Sequence, residues 1–280
     1  MTKLVLQGSN LTADAAKDIA AKLQGTLAID VHYTVIDAPL ITNKDVETLR
    51  DDFDFDINVI PSEFEPHSAK LLVTDMDSTL INIECVDEIA DFINVKPQVA
   101  EITEAAMRGE IDFETSLRKR VSLLKGLDVT ALERVYLERL QLNPGAEKMI
   151  KGLQQRGIKT ALVSGGFTFF TERLKQRLGL DFTMANVLSE HKGKLTGEVE
   201  GDVCGAQAKA DFLLTHCTKL AITPQQVVAM GDGANDLLMM NEAGLSVAYH
   251  AKPTVQQQAS TVLNYCGLEG VLGLLQLEYN

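Results

Sequence analysis

From residue 71 onward, short apolar runs alternate with longer amphipathic stretches, and this alternation constrains the fold more than any other feature. The strand-like runs are LLVT (71–74), TALVS (160–164), VVAMG (227–231) and LSVAY (245–249). Continuous apolar strands separated by helices predict an α/β fold with a parallel sheet covered on both faces. Such sheets bind ligands at the carboxyl ends of their strands. The first run leads into Asp75-Met76-Asp77, the second ends in Ser164-Gly165-Gly166, and VVAMG continues into Asp232-Gly233-Ala234-Asn235-Asp236. One edge of the sheet would then gather several carboxylates, a hydroxyl and glycines that expose backbone N–H groups.

Buried carboxylates are costly unless they are paired or bind a metal. A hard cation with oxygen ligands would hold them together, and Mg²⁺ favours few carboxylates, several waters and a phosphate oxygen. Asp75 and Asp232 are the natural ligand pair. Mg²⁺, exposed N–H groups and a hydroxyl together suit a phosphoryl group, whose transfer depends mostly on positioning and charge stabilisation. A carboxylate can itself be the nucleophile. On this reading Asp75 attacks phosphorus. Asp77, two residues on, protonates the leaving alkoxide and then deprotonates the hydrolytic water. That role needs a pKa raised towards neutrality, which crowding by other carboxylates tends to produce. Lys209 in GAQAKADFLL is placed at the start of a helix. A cation is disfavoured there unless something holds it. A pocket of carboxylate and phosphate would.

Residues 1–68 read as a separate small α+β unit. Its strands are LVLQGS, AIDVHYTVIDA and DINVIP, its helices TADAAKDIAAKLQG and DVETLRDDF, and PSEFEPHSAK (61–70) is the expected linker to residues 69–280. Residues 84–143 carry helical periodicity for about four helices, more than one crossover needs, and are expected to form a cap over the strand ends. Residues 186–203 read as a hairpin turning near Lys192-Gly193-Lys194.

The formal net charge of −13 argues against nucleic acid or an anionic membrane surface as the main partner, while leaving room for a small anionic substrate in a cleft. None of Cys85, Cys204, Cys217 and Cys266 forms a CxxC pair, so free thiols are expected rather than zinc. No apolar run is long enough to cross a bilayer, and the apolar stretch in MTKLVLQGSN is too short for a secretion signal. The expectation is a cytoplasmic protein.

These residues resemble the haloacid dehalogenase superfamily of phosphohydrolases. DMDST matches its first motif, the strand ending at Ser164 its second, Lys209 its third and GDGAND (231–236) its fourth, all in order. DMDSTLINIECVDEIA, MRGEIDFETSLRKRVSLLKG, VSGGF and GDGANDLLMM further resemble the branch that hydrolyses phosphoserine, over about residues 71–270. The resemblance implies a Rossmann-like core with a helical cap. It implies Asp75 as nucleophile and Asp77 as general acid/base. Mg²⁺ would be held by Asp75, the backbone carbonyl of Asp77 and Asp232, with Asp236 supporting the metal site from behind. Ser164, the N–H of Gly165 and Lys209 would hold the phosphoryl group, and Asn235 would contact the substrate near it.

Glu84 and Arg120 match substrate-binding positions of that branch. Glu84 suits an ammonium, and Arg120 a carboxylate gripped by two hydrogen bonds. Helical spacing does not say which of Arg118, Lys119 and Arg120 points inward; only the resemblance selects Arg120. Met107 and Phe113 match apolar cap residues that close over the substrate and exclude water. Related substrates such as phosphothreonine or a homoserine phosphate, and phosphotransfer to another acceptor, stay open. So do a homodimer and an amino-acid effector at residues 1–68, where relatives often carry an ACT-like regulatory module.

Overall fold

The structure, a computed structural model, describes residues 2–278, apart from the side chains of Asn43 and Met107. The chain opens with β1 (Thr2–Gln7), α1 (Ala13–Lys22), β2 (Thr26–Ile29), β3 (Thr34–Ala38), α2 (Asn43–Asp52) and β4 (Asp56–Ile60). The strands form an antiparallel sheet in the order β2-β3-β1-β4. Side chains alternate across a strand, and β1 uses both faces. Leu4 and Leu6 join Ile19, Val46 and Leu49 in a core beneath α1 and α2, whereas Val5 faces the other way into the main core with Tyr33, Val35 and Ile60.

AIDVHYTVIDA, expected as one strand, is two strands joined by a tight turn. The Asp30 carboxylate accepts from His32 N–H at 3.2 Å, and Asp30 N–H donates to Tyr33 O at 2.9 Å. An aspartate that bonds its own backbone two residues on replaces the glycine that usually marks such a turn. Segment 61–70 is packed: Phe64, Pro66 and Ala69 are buried, and Lys70 N–H bonds Gln226 O.

The second sheet begins at β5 (Leu71–Thr74). Helices α3 (Cys85–Asp91), α4 (Lys96–Met107), α5 (Phe113–Ser122) and α6 (Thr130–Glu138) form the insert that follows. The remaining elements are α7 (Ala146–Gln155), β6 (Lys159–Phe167), α8 (Thr168–Leu178), β7 (Phe182–His191), β8 (Lys194–Glu200), α9 (Ala206–Leu220), β9 (Val227–Gly231), α10 (Leu237–Glu242), β10 (Leu245–Tyr249), α11 (Pro253–Gln256), β11 (Thr261–Leu263) and α12 (Gly270–Leu274). The sheet order is β11-β10-β9-β5-β6-β7-β8, parallel throughout except for the β7–β8 hairpin. Its central strand β5 is wholly buried, as a parallel strand covered on both faces must be. The expected α/β architecture with a helical insert is the observed one. Among the described residues no helix is long and apolar enough to cross a membrane.

Candidate active site

Parallel pairing of β5 with β6 and β9 brings the carboxyl ends of three neighbouring strands together. Asp75 leaves β5 with its N–H on Met230 O at 2.9 Å. The chain then makes a wide turn over Met76–Leu80, in which Ser78 has φ 56°. A non-glycine residue in that left-handed region is uncommon and needs support. Asn143 supplies it, donating from Nδ2 to Thr79 O at 2.7 Å and Ile81 O at 3.1 Å. Ser78 Oγ donates to Glu84 Oε1 at 2.7 Å, and Cys85 N–H donates to Asp77 Oδ1 at 3.3 Å. The turn thus ties the nucleophile candidate to the first cap helix.

At the end of β9, glycines permit a close approach. A Cβ on Gly231 would collide with the Asp236 carboxylate, which accepts from Gly233 N–H at 3.1 Å through Oδ2. Its other oxygen accepts from Lys209 Nζ at 2.7 Å, and the same Nζ donates to Asp75 Oδ1 at 2.6 Å. Lys209 and Asp236 are fully buried. Burial works against the Lys209 ammonium, but Asp236 and then Asp75 outweigh it and raise the pKa. The other Asp75 oxygen has no hydrogen-bond partner among the described residues.

Ser164, also buried, accepts from Gly166 N–H at 2.8 Å. Asn186 on β7 holds the neighbouring peptide, donating to Gly165 O at 2.8 Å while its Oδ1 accepts from Cys204 N–H at 2.8 Å. The Asp77 carboxylate lies close to Gly166, where a Cβ would come within 2.9 Å of Asp77 Oδ2.

Over this edge lies a cavity of about 600 Å³. The core lines it with Asp75, Asp77, Ser164, Gly165, Asp232 and Asn235, and the cap with Glu84, Phe113 and Arg120. Lys209 and Asp236 sit beneath its floor. Phe113 rests on Gly165, where a Cβ would come within 2.9 Å of its ring, so the cap touches the core at the site itself. Met107 ends α4, but its side chain lies outside the described residues. Of the three neighbouring cations, Arg118 pairs with Glu114 on the surface, while Arg120 lines the cavity with its buried Nε lacking a hydrogen-bond partner.

The sequence reading did not single out Asp87, Lys252, Asn186, Thr79 or Asn143. Asp87 lines the cavity from the first turn of α3, three residues after Glu84, which precedes that helix. That spacing pointed to it. Thr79 Oγ1 donates to Asp232 Oδ1 at 3.3 Å. Lys252, Asn186 and Asn143 arrive from elements far away in sequence, and no local signal marks them.

Burial and then the Glu84 charge push Asp77 up to about 7. Burial and then Asp236 push Asp232 up to about 6. Asp75 is raised well above the ordinary carboxylate range by burial and then Asp236, against the pull of Lys209. Asp75, Asp232 and Asp236 offer carboxylate oxygens that all lie within 4.8 Å of one another. Both Asp236 oxygens are already engaged, so Asp75 and Asp232 are the carboxylates left for a cation. An all-oxygen donor set under mutual repulsion fits a hard divalent ion. The Asp77 side chain is not part of that cluster.

Fold and site together define a hydrolase. Residues 69–244 match the model of the haloacid dehalogenase-like hydrolase family, to which the chain belongs. Within that family it is a phosphatase. It is 53% identical over 225 residues to a phosphoserine phosphatase of Polaromonas sp., covering 79% of this chain and 95% of that protein. The crystal structure of a probable phosphoserine phosphatase from Vibrio cholerae superposes with a TM-score of 0.85 at 39% identity, covering 100% of this chain and 90% of that one. A phospho-aspartyl intermediate analogue of phosphoserine phosphatase matches with a TM-score of 0.68 at 44% identity, over 73% of this chain and 97% of that one.

Proposed function

We propose that the protein hydrolyses O-phospho-L-serine to L-serine and phosphate, the last step of serine biosynthesis, through an aspartyl-phosphate on Asp75. One observation carries this reading: the Asp75 and Asp77 carboxylates share a cavity with the Arg120 guanidinium, whose buried Nε has no partner among the described residues. Lys209 holds one Asp75 oxygen and leaves the other free to attack phosphorus as the P–O bond to serine breaks. Asp77, titrating near neutrality, gives its proton to the departing alkoxide. It then takes one from the water that attacks the phosphoaspartate, and phosphate leaves with the Asp75 carboxylate restored. Mg²⁺, held by Asp75, Asp232 and the Asp77 carbonyl, would neutralise charge on the phosphoryl oxygens. Ser164, Gly165 N–H and Lys209 hold those oxygens, Asn235 lies against them, and Asp236 braces Lys209.

Glu84 takes the substrate ammonium and Arg120 its carboxylate, while Phe113 and Met107 close the cap. Phosphothreonine or another small amino-acid phosphate would use the same chemistry, and the relatives' names favour phosphoserine. Residues 1–68 are read as a small regulatory unit, 69–280 as the catalytic unit and about 84–143 as its cap, in a cytoplasmic enzyme.

Phosphate release from L-phosphoserine, phosphothreonine and p-nitrophenyl phosphate, with Mg²⁺, with EDTA and with Asp75→Asn, tests the reading. Metal-dependent release, strongest on phosphoserine and lost in the variant, is expected. Release from the aryl ester alone would discard the roles of Glu84 and Arg120.

A further inference from the structure

The cavity has a charge problem that the residues above do not solve. Asp75, Asp77, Glu84, Asp87 and Asp232 line it, and a phosphate monoester must enter among them. The lining cations among the described residues are Arg120 and Lys252. Arg120 reaches in from the cap. Lys252 stands on the core side, exposed, at the N-terminal end of α11. Its ammonium makes no ion pair among the described residues, yet it stands near enough to Glu84 and Asp232 to act on both electrostatically. A lysine with carboxylates around it and no partner of its own is available to an incoming anion.

The loop that carries Lys252 is not self-supporting. His250 has φ 43°, a left-handed conformation for a side-chain-bearing residue. Lys252 N–H bonds Asp232 O at 3.3 Å, which fixes the loop to the metal-binding turn. Behind it, Gln256 Nε2 donates to Ala251 O at 2.7 Å. The Gln256 and Asn264 amides pair with each other, at 3.1 Å and 3.3 Å. Asn264 N–H in turn donates to Asp56 Oδ1 at 2.7 Å. Asp56 lies on β4 of the N-terminal sheet, buried, and its carboxylate also accepts from the N–H groups of Tyr265 and Cys266. Asn58, two residues on, clamps Val262 of β11 through both its N–H and its carbonyl, each at 2.8 Å. Hydrogen bonds therefore link the N-terminal sheet to the backbone of the loop that carries Lys252.

We infer that Lys252 is a substrate-positioning residue, held over the cavity by a relay that begins at Asp56 of the N-terminal sheet and passes through Asn264 and Gln256. This rests on the phosphomonoester reading above. It gives the N-terminal unit a task that requires no effector: it braces the loop that offsets the negative lining of the site.

The test is steady-state kinetics of the full chain on L-phosphoserine and p-nitrophenyl phosphate, each at low and high salt. Lys252→Met raises KM about two- to fivefold, the size of one exposed charge contact, with kcat nearly unchanged. It also flattens the rise of KM with salt, because the screened attraction is gone, and Lys252→Arg restores most of both. Gln256→Ala, at a residue that does not line the cavity, raises KM about threefold. The double variant Lys252→Met/Gln256→Ala is no worse than Lys252→Met alone, since both remove one interaction. An active wild type whose KM is untouched by Lys252→Met, or whose loss falls wholly in kcat, overturns the positioning role. Additive effects in the double variant overturn the relay. A wild type inactive on both esters overturns the phosphatase reading itself, and this inference with it.

Discussion

Lys209→Met is the substitution whose consequence the structure sizes best. It keeps the length of the side chain and removes the charge. The lysine side chain is 0% exposed, between Asp75 at 6% and Asp236 at 0%, and both carboxylates contact the same nitrogen. Removing one partner of a buried ionic group leaves the other uncompensated, at a cost of about 3–5 kcal/mol. For a chain of this size that corresponds to a fall in Tm of roughly 5–9 °C. The raised lysine pKa sets the sign of the pH dependence. Its contribution is fully present below the unfolded lysine value of about 10.4, and is lost only as pH climbs through the still higher folded value. The Lys209 ammonium therefore stays charged across the ordinary pH range.

The variant behaves differently. Without the ammonium, Asp75 loses the charge that pulls its pKa down against burial and Asp236, so it takes up a proton more readily and the deficit shrinks as pH falls. Thermal unfolding followed by circular dichroism in EDTA reads this directly. Lys209→Met/Asp75→Asn removes one of the stranded charges and recovers about half of the lost Tm, with no recovery of activity. A Tm for Lys209→Met within 2 °C of wild type, or no recovery in the double variant, would refute the argument that this triad is a buried ionic unit. Loss of kcat alone would not rescue it.

Two further outcomes follow from the crowded carboxylates. Glu84→Gln removes the charge that, after burial, does most to raise Asp77. The alkaline limb of the kcat profile should therefore move to lower pH, and an unmoved limb would show that Glu84 does not set the acid/base pKa. Metal binding competes with protons for Asp232, which titrates at about 6 without metal. The gain in Tm on adding Mg²⁺ should therefore be larger at pH 7.5 than at pH 5.5, and equal gains would place the metal on other groups.

Much of the site was legible because its parts sit at strand ends. Asp75, Asp77, Ser164 and Asp232 directly follow or end apolar runs, and a parallel sheet brings such positions to one edge. Lys209 was legible as a cation where a helix start disfavours one, and its partners in the fold are the two carboxylates. The N-terminal turn at Asp30 was missed because a side chain, not a glycine, closes it. Strand β11 was missed because three residues are too few to carry a pattern.

The sequence by itself determined the alternation of buried strands and helices, the insert after β5 and the inventory of candidate reacting groups, since each of these is written in local periodicity or spacing. Tertiary structure alone decided the rest. It placed Asn186 behind Gly165, Asn143 behind the Ser78 turn, and Lys252 at the cavity under a relay from Asp56. Apart from the short bonds of Gln256 within the relay, the residues in these contacts lie far apart along the chain, from 21 between Gly165 and Asn186 to 208 between Asp56 and Asn264. Hydrogen bonds of that reach depend on where whole elements come to rest, and no window of neighbouring residues encodes that.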